Sequence, residues 1–318
     1  MYYKIDKRQN VADYTYFRQD ITGNSNILYL LTLTTSLFLH IRKKDLTNES
    51  IGYILSPDQR RVDYQLNFIL ILQGVCMTVC IAMLFEDSKG VVVASDRLTT
   101  SSRPPMEFEH KKRKIKKIND RCVVLSAGDA LIPNEIIGDS SAMLSQHTSP
   151  TIEMACDVIK DKFVSVRRRV AEELFLKPRG VTFKEFYDER IRTWPEGMVQ
   201  ALDKTIRDND LEVEFIVAGI DREAAHIYIV FDPGTSMCFD NLGYTVVGIG
   251  EFYALSVITR EYDPQIKEEE ALKLIYKAKK SSEFAPGVGE TTDITILKDG
   301  HFKDLTEDEI NKLDKGKV

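Results

Sequence analysis

Several things are missing from this sequence, and each absence closes a class of function. No CxxC pair occurs, and the five cysteines (Cys76, Cys80, Cys122, Cys156, Cys238) are odd in number and scattered. That excludes a disulfide framework and a thiolate zinc site, and it suits a reducing cytosol. The five histidines (His40, His110, His147, His226, His301) show neither an HxxxH spacing nor a histidine–carboxylate cluster, so no metal and no cofactor is expected. Excess positive charge is also lacking: the net charge is −6 and the pI near 5.6, which does not favour nucleic acid or anionic lipid as a partner. Nor is there an apolar run of the roughly 20 residues that a membrane-spanning helix needs. The stretch from Ile27 to Ile41 carries four threonine or serine residues and His40, and that from Phe68 to Phe85 is broken by Gln73, Gly74 and Thr78. No membrane segment is expected, and no internal repeat or low-complexity tract is present.

What is there is an ordinary globular mixture of 43% apolar and 29% charged residues over 318 positions, enough for one large or two ordinary domains. Residues 1–76 differ from the rest, with one alanine (Ala12), one glutamate (Glu49), no internal methionine and no sustained periodicity. They read as a propeptide, an accessory segment, or a stretch upstream of the true start at Met77. Methionine is readily removed before a small residue, so Met77 is taken as the working start. The chain then divides into an N-terminal extension, 1–76, absent from the mature protein, and a domain, 77–318.

The feature that organises this domain is Met77-Thr78, set at the head of the apolar run Val79-Cys80-Ile81-Ala82-Met83-Leu84. Without Met77, Thr78 becomes an N-terminus that holds a nucleophilic hydroxyl and a basic amine on one carbon; otherwise it is an ordinary strand threonine. Val79 to Phe85, a turn at Glu86 to Gly90, and Val91 to Ala94 predict a hairpin that ends in Asp96. An irregular link over Thr99 to Pro105 follows. A second hairpin is predicted from Lys111 to Asp120 and from Cys122 to Gly128, its lysines read as a solvated edge strand. Apolar residues at three and four spacing predict helices over Asp129 to Ser145 and Thr151 to Leu176, broken by Pro178-Arg179-Gly180. Strands are predicted at Glu212 to Ile220, His226 to Phe231 and Tyr244 to Val247. Helix is predicted from Glu251 to about Lys280, interrupted near Asp263-Pro264, then a last strand from Thr292 to Leu297 and a charged tail. Two strand blocks, each followed by paired helices, imply an α+β protein with sheets packed on one another and helices outside.

The order of the Met-Thr strand, VVVASDR (91–97), KIKKIND (114–120), VVLSAGDA (123–130), FIVAGID (215–221), VVGIGEFYAL (246–255) and TTDITIL (291–297) resembles the proteasome β-type subunits and their HslV and Anbu relatives in the N-terminal nucleophile (Ntn) hydrolase superfamily. The resemblance covers Thr78 to about Leu297 and implies a four-layer αββα sandwich. It also implies catalytic roles: Thr78 as nucleophile with its own α-amine as base, Lys114 lowering the cost of charge on Oγ, Asp96 fixing Lys114, and Gly128 offering its N–H to an oxyanion. On the bare residues, Lys114 reads better as another exposed lysine, while the alternative for Asp96 is a turn aspartate and for Gly128 a plain strand-to-helix turn. Analogy further places Thr99, Ser126 and Ala130 at the substrate pocket, with Lys116 beside them, a lean towards polar or acidic side chains.

Two departures stand out. Relatives carry a serine between the two glycines where this chain has Ile249, and the acid-and-serine pair before the final strand is missing, with Glu283, Ser281 or Ser282 as substitutes. The second departure is extra length from about 166 to 210, a helical insertion that is either a plain surface segment or a lid or docking face. The implied protein is a cytoplasmic threonine-type amide-bond hydrolase, a peptidase acting on peptide or protein substrates in a homo-oligomeric ring or related assembly. The alternatives are a narrow amidase or peptide ligase, and a non-catalytic subunit that keeps the fold for assembly.

Overall fold

The apolar runs that open the domain sort by parity. Side chains in a strand alternate between faces. In β1 (Cys80–Phe85), Ile81, Met83 and Phe85 join one core while Cys80, Ala82 and Leu84 join another. β2 (Gly90–Asp96) divides likewise, with Val92 and Ala94 on one side and Val91 and Val93 on the other. A strand covered on both faces has no use for polar alternation, which is why these segments read as continuous hydrophobic runs. The structure, a computed structural model, describes residues 78–102, 105–109, 113–128, 131–222 and 224–314. The expectations for residues 1–76 and Met77, and for the apolar run from Ile27 to Ile41, lie outside the described residues.

Two five-stranded antiparallel sheets result. The first has the order β10-β1-β2-β11-β12 and the second β5-β6-β7-β8-β9. In chain order the remaining strands are β3 (Leu98–Ser102), β4 (Pro105–Glu109), β5 (Lys116–Lys117), β6 (Cys122–Gly128), β7 (Val213–Ile220), β8 (Ala225–Phe231), β9 (Thr235–Cys238), β10 (Tyr244–Val247), β11 (Thr292–Lys298) and β12 (His301–Asp304). A shared core joins the sheets face to face: Cys80, Ala82, Leu84, Val91 and Val93 from the first meet Val123, Leu125, Ala127, Ile216 and Ala218 from the second. The outer faces carry helices. α1 (Ile132–Leu144) and α2 (Ile152–Ala171) cover the second sheet through Ile136, Ile159 and Phe163 against Val124, Phe215 and Val217. α4 (Glu251–Glu261) and α5 (Glu268–Ser282) cover the first through Ala254, Ile258, Leu274 and Ile275. The layers therefore run helix, sheet, sheet, helix, the expected αββα sandwich.

The loop regions depart from expectation. The link over Thr99 to Pro105 is part of a separate hairpin, β3–β4, with Leu98 opposite Glu109. Among the described residues of the lysine-rich stretch, Lys116–Lys117 form strand, paired with Val124 and Val123. The charged tail is structured: β12 extends the first sheet and α6 (Glu307–Asp314) sets Ile310 into the helix-side core. Among the described residues no helix is long and apolar enough to cross a membrane.

Between α2 and β7 lies a helical lobe with its own small core. Thr151 caps α2 by accepting the Met154 N–H at 3.1 Å. The helix then widens into a π-helical turn, Glu172–Leu176, and stops where Gly180 turns left-handed. Short turns lead to α3 (Glu196–Arg207), and Ala171, Leu176, Val181, Phe183, Phe186, Leu202 and Ile206 bury one another with Trp194 against them. Val166 belongs to the main core beneath, so the lobe begins near Ala171.

His226 on β8 ties two turns together: Nδ1 lies 2.6 Å from Asp240 and Nε2 3.3 Å from Asp221. Burial pulls the imidazole pKa down, but the two carboxylates outweigh it and the net shift is upward. A raised folded-state pKa means stabilisation fully present below the ordinary value of about 6.5 and lost as pH rises through the folded value. His226→Gln should therefore lower the melting temperature by about 2–4 °C near pH 5.5 and by much less near pH 9, as calorimetry at the two pH values would show.

Candidate active site

The end of β2 delivers Asp96 to a position with no solvent exposure, and a buried carboxylate demands partners. It has five donors. Oδ1 accepts the hydroxyl of Thr78, the Val79 N–H at 3.2 Å and Lys114 Nζ at 2.8 Å. Oδ2 accepts the Leu98 N–H at 3.1 Å and the Gly289 N–H at 3.0 Å. Lys114 Nζ also donates to Thr78 Oγ1, so ammonium, hydroxyl and carboxylate form a closed triangle. Ile115, the next residue, is buried in the core between the sheets and anchors the segment from which Lys114 reaches inward. Thr78 itself is buried, at the edge of β1. An ammonium bonded to a hydroxyl oxygen offsets negative charge that develops there, which is what a nucleophile requires.

Charged pairs brace the neighbouring strand. Arg97 grips Asp293 through two bonds of 2.6 and 2.8 Å, and Arg113 reaches the same carboxylate at 3.0 Å. Since Ser95 and Asp293 are paired across β2 and β11, this clamp fixes the frame from which Asp96 projects.

Backbone approach at two glycines shapes the surroundings. Gly248 has φ +93° and packs on the Thr78 carbonyl, where any Cβ would collide, and Gly250 N–H donates to that carbonyl at 3.3 Å. Gly128, with φ +110°, ends β6 against the Glu212 carbonyl with no room for a Cβ. Of the expected residues, Thr78, Asp96 and Lys114 come together in one hydrogen-bonded group. None of the hydrogen bonds that join them reaches Gly128, Thr99 or Ser126. The Ser126 carbonyl accepts from Cys80 Sγ on β1 at 3.5 Å. Thr99 pairs with Phe108 on the β3–β4 hairpin, Lys116 pairs with Val124, and Ala130 lies outside the described residues.

The region expected to tune the terminal amine is apolar. Ile249 packs against the helix-side core, to which Ala285 and Val288 also belong. Glu283 does not substitute for the missing acid, because its carboxylate is held by Lys279 and by Lys280 at 2.8 Å. Ser282 donates to the Lys279 carbonyl at 2.6 Å. Two residues went unnoticed in the sequence. Glu214, on β7 opposite Ala127, accepts the Gly248 N–H at 3.3 Å, and burial raises its pKa against that bond. Glu251 is raised too, by burial and then by Glu214. The available signal was a glutamate at the same parity as Ile216 and Ala218, in a strand otherwise apolar on that face. Lys279 is the other, and it is fully buried. Among the described residues no group of His, Cys, Asp or Glu could hold a metal ion.

Comparison with known proteins places these observations. Residues 197–288 match the family profile described as proteasome subunit. Proteasome subunit beta 1 of Korarchaeum cryptofilum is 34% identical over 106 residues, 32% of this chain and 49% of that protein. Proteasome subunit beta 2 of Pyrobaculum neutrophilum is 36% identical over 88 residues, 27% of this chain and 42% of its own length. A Schizosaccharomyces pombe protein named probable proteasome subunit beta type-2 is 23% identical over 184 residues, 55% of this chain and 63% of the other. The chain thus spans about half the length of the curated relatives it matches.

The packing at Gly248 yields a direct test. Gly248→Ala should lower unfolding free energy by roughly 1–3 kcal/mol, since it adds a strained φ and presses on the Thr78 carbonyl. Gly138→Ala, in α1 with nothing near the added methyl, should instead gain about 0.5–1 kcal/mol. Urea titration of the two variants measures both signs.

Proposed function

For this chain, a proteasome-type member of the N-terminal nucleophile hydrolases, we propose the activity of a threonine-type amide-bond hydrolase, a peptidase of peptide or protein substrates. The observation that carries this reading is the closed triangle of Thr78 hydroxyl, Lys114 ammonium and Asp96 carboxylate. In the mature protein the extension 1–76 and Met77 are gone and Thr78 is the first residue. Its free amine accepts the hydroxyl proton as Oγ attacks the substrate carbonyl. Lys114 offsets the charge on Oγ, Asp96 holds Lys114, and the Gly128 N–H receives the oxyanion. The C–N bond then breaks and the leaving amine takes the proton from the α-ammonium. Water, giving a proton to the same α-amine, attacks the ester and releases the acid with the Thr78 hydroxyl restored. By analogy with the family, Thr99, Ser126 and Ala130 are assigned to the substrate pocket, Ala130 lying outside the described residues. The domain 77–318 works in the cytoplasm within a homo-oligomer, and the helical lobe that begins near Ala171 serves as a lid or as a docking face for a neighbouring subunit.

One observation favours a second reading. Ile249, Ala285 and Val288 leave apolar contacts where the amine's polar support is expected, which suits a non-catalytic subunit that retains the fold for assembly. A narrow amidase or peptide ligase is the remaining enzymatic variant, in which an amine rather than water resolves the acyl-enzyme.

The test begins from protein whose intact mass places Thr78 first. Turnover of fluorogenic peptides should then fall on the order of 10⁴-fold in Thr78→Ala, and an unchanged rate removes the peptidase reading. For wild-type protein kcat/KM should decline as pH drops below about 7.7–8.0, because the attacking form needs the α-amine neutral. Natively produced protein that never exposes Thr78 would leave the assembly reading in place.

A further inference from the structure

Lys279 is a buried cation that the reaction scheme does not use. Its side chain, on α5, has no solvent exposure, an expensive place for an ammonium unless every proton finds an acceptor. The acceptors are the carbonyls of Gly289 at 2.7 Å and Glu290 at 2.9 Å, together with the Glu283 carboxylate. Burial lowers its pKa, and the carboxylates of Glu283 and Asp96 pull the other way. The carbonyls it grips belong to the same short loop whose Gly289 N–H donates to Asp96 Oδ2. Gly289 is closely packed on one side, where a methyl would meet Glu109 and Leu98.

From these contacts we infer that Lys279 is a positioning residue for the nucleophile. It pins the 289–290 loop from behind, and the loop holds the far oxygen of the carboxylate whose near oxygen holds Thr78 and Lys114. The inference deepens the threonine-hydrolase reading and rests on it for its consequence in catalysis. A structural filler would need only the right shape, and a methionine of similar length would fill the volume while leaving the Gly289 and Glu290 carbonyls without their donor. What methionine lacks is the pair of donors that fix the loop carbonyls. Glu283 would keep Lys280 as a partner in that variant, so no orphan carboxylate is created.

Lys279→Met should lower kcat on the order of 10- to 100-fold with KM within about two-fold, because the nucleophile is displaced while the substrate pocket is untouched. Deuterium exchange of the peptide spanning 285–292 should accelerate in parallel, since a loop no longer pinned at its carbonyls holds the Gly289 amide less steadily against Asp96. This second readout needs no turnover. A wild-type protein without peptidase activity would defeat the proposed function, yet exchange at 285–292 would still decide the role of Lys279. If Lys279→Met does not fold, Lys279→Gln keeps one amide donor for the loop and should show the same two effects in weaker form. A variant that melts earlier but retains both kcat and slow exchange at 285–292 overturns the proposal.

Discussion

A single buried carboxylate sets the terms for everything around it. Asp96 lies where water cannot reach, so each of its lone pairs has to be met by a donor built into the fold. Those donors come from far apart in the chain: the start of β1, the residue opening β3, the segment before β5, and the loop before β11. Satisfying one anion therefore aligns four pieces of backbone. The hydroxyl of Thr78 and the ammonium of Lys114 are held together because both are needed to neutralise and solvate the same group. The chemistry of the site and the stability of this corner of the sandwich are the same set of bonds.

Beside that polar knot the structure is unexpectedly oily. Ile249, Ala285 and Val288 turn into the helix-side core, and the acid and hydroxyls nearby are engaged elsewhere, Glu283 by two lysines and Ser282 by a helix carbonyl. Polarity has instead moved to the opposite sheet, where Glu214 hangs from the Gly248 amide with Glu251 close enough to feel its charge. The groups surrounding the first residue of the strand are thus redistributed between sheets, with the central triangle left in place.

Much of this could be read from the sequence, and the reasons it could differ by element. β1, β2, β6, β7, β10 and β11 are visible as apolar runs because they are sandwiched between layers, and Asp96 and Lys114 stand out as charges at the margins of such runs. The β3–β4 hairpin escaped because its strands pair only with each other and carry little apolar pattern. The tail escaped through its charge, although Thr306 and Glu309 form a capping box, with the Thr306 N–H donating at 2.8 Å, which marks the start of α6 in the sequence itself. Glu214 and Lys279 were hidden for a different reason. Their importance comes from what lies across a sheet or behind a loop, and linear spacing does not carry that information. Nor does it say whether Glu283 faces the nucleophile or a lysine one helical turn back.

The parity of β1 has a bearing on how the protein is made. Even-numbered residues face the partner sheet and odd-numbered ones face the helices, and the hairpin partner β2 locks this count from Cys80 opposite Ser95 onward. Under the proposed exposure of Thr78 as the first residue, the strand would act as a ruler for processing. A cut one residue late would leave Val79 at the head, with an alkyl group and no hydroxyl to offer the Asp96–Lys114 pair, and the chain could not slide by one position to compensate without turning its whole core inside out. Heterogeneous trimming, harmless at most protein termini, would here divide the population into molecules that keep the triangle and molecules that have lost one of its corners.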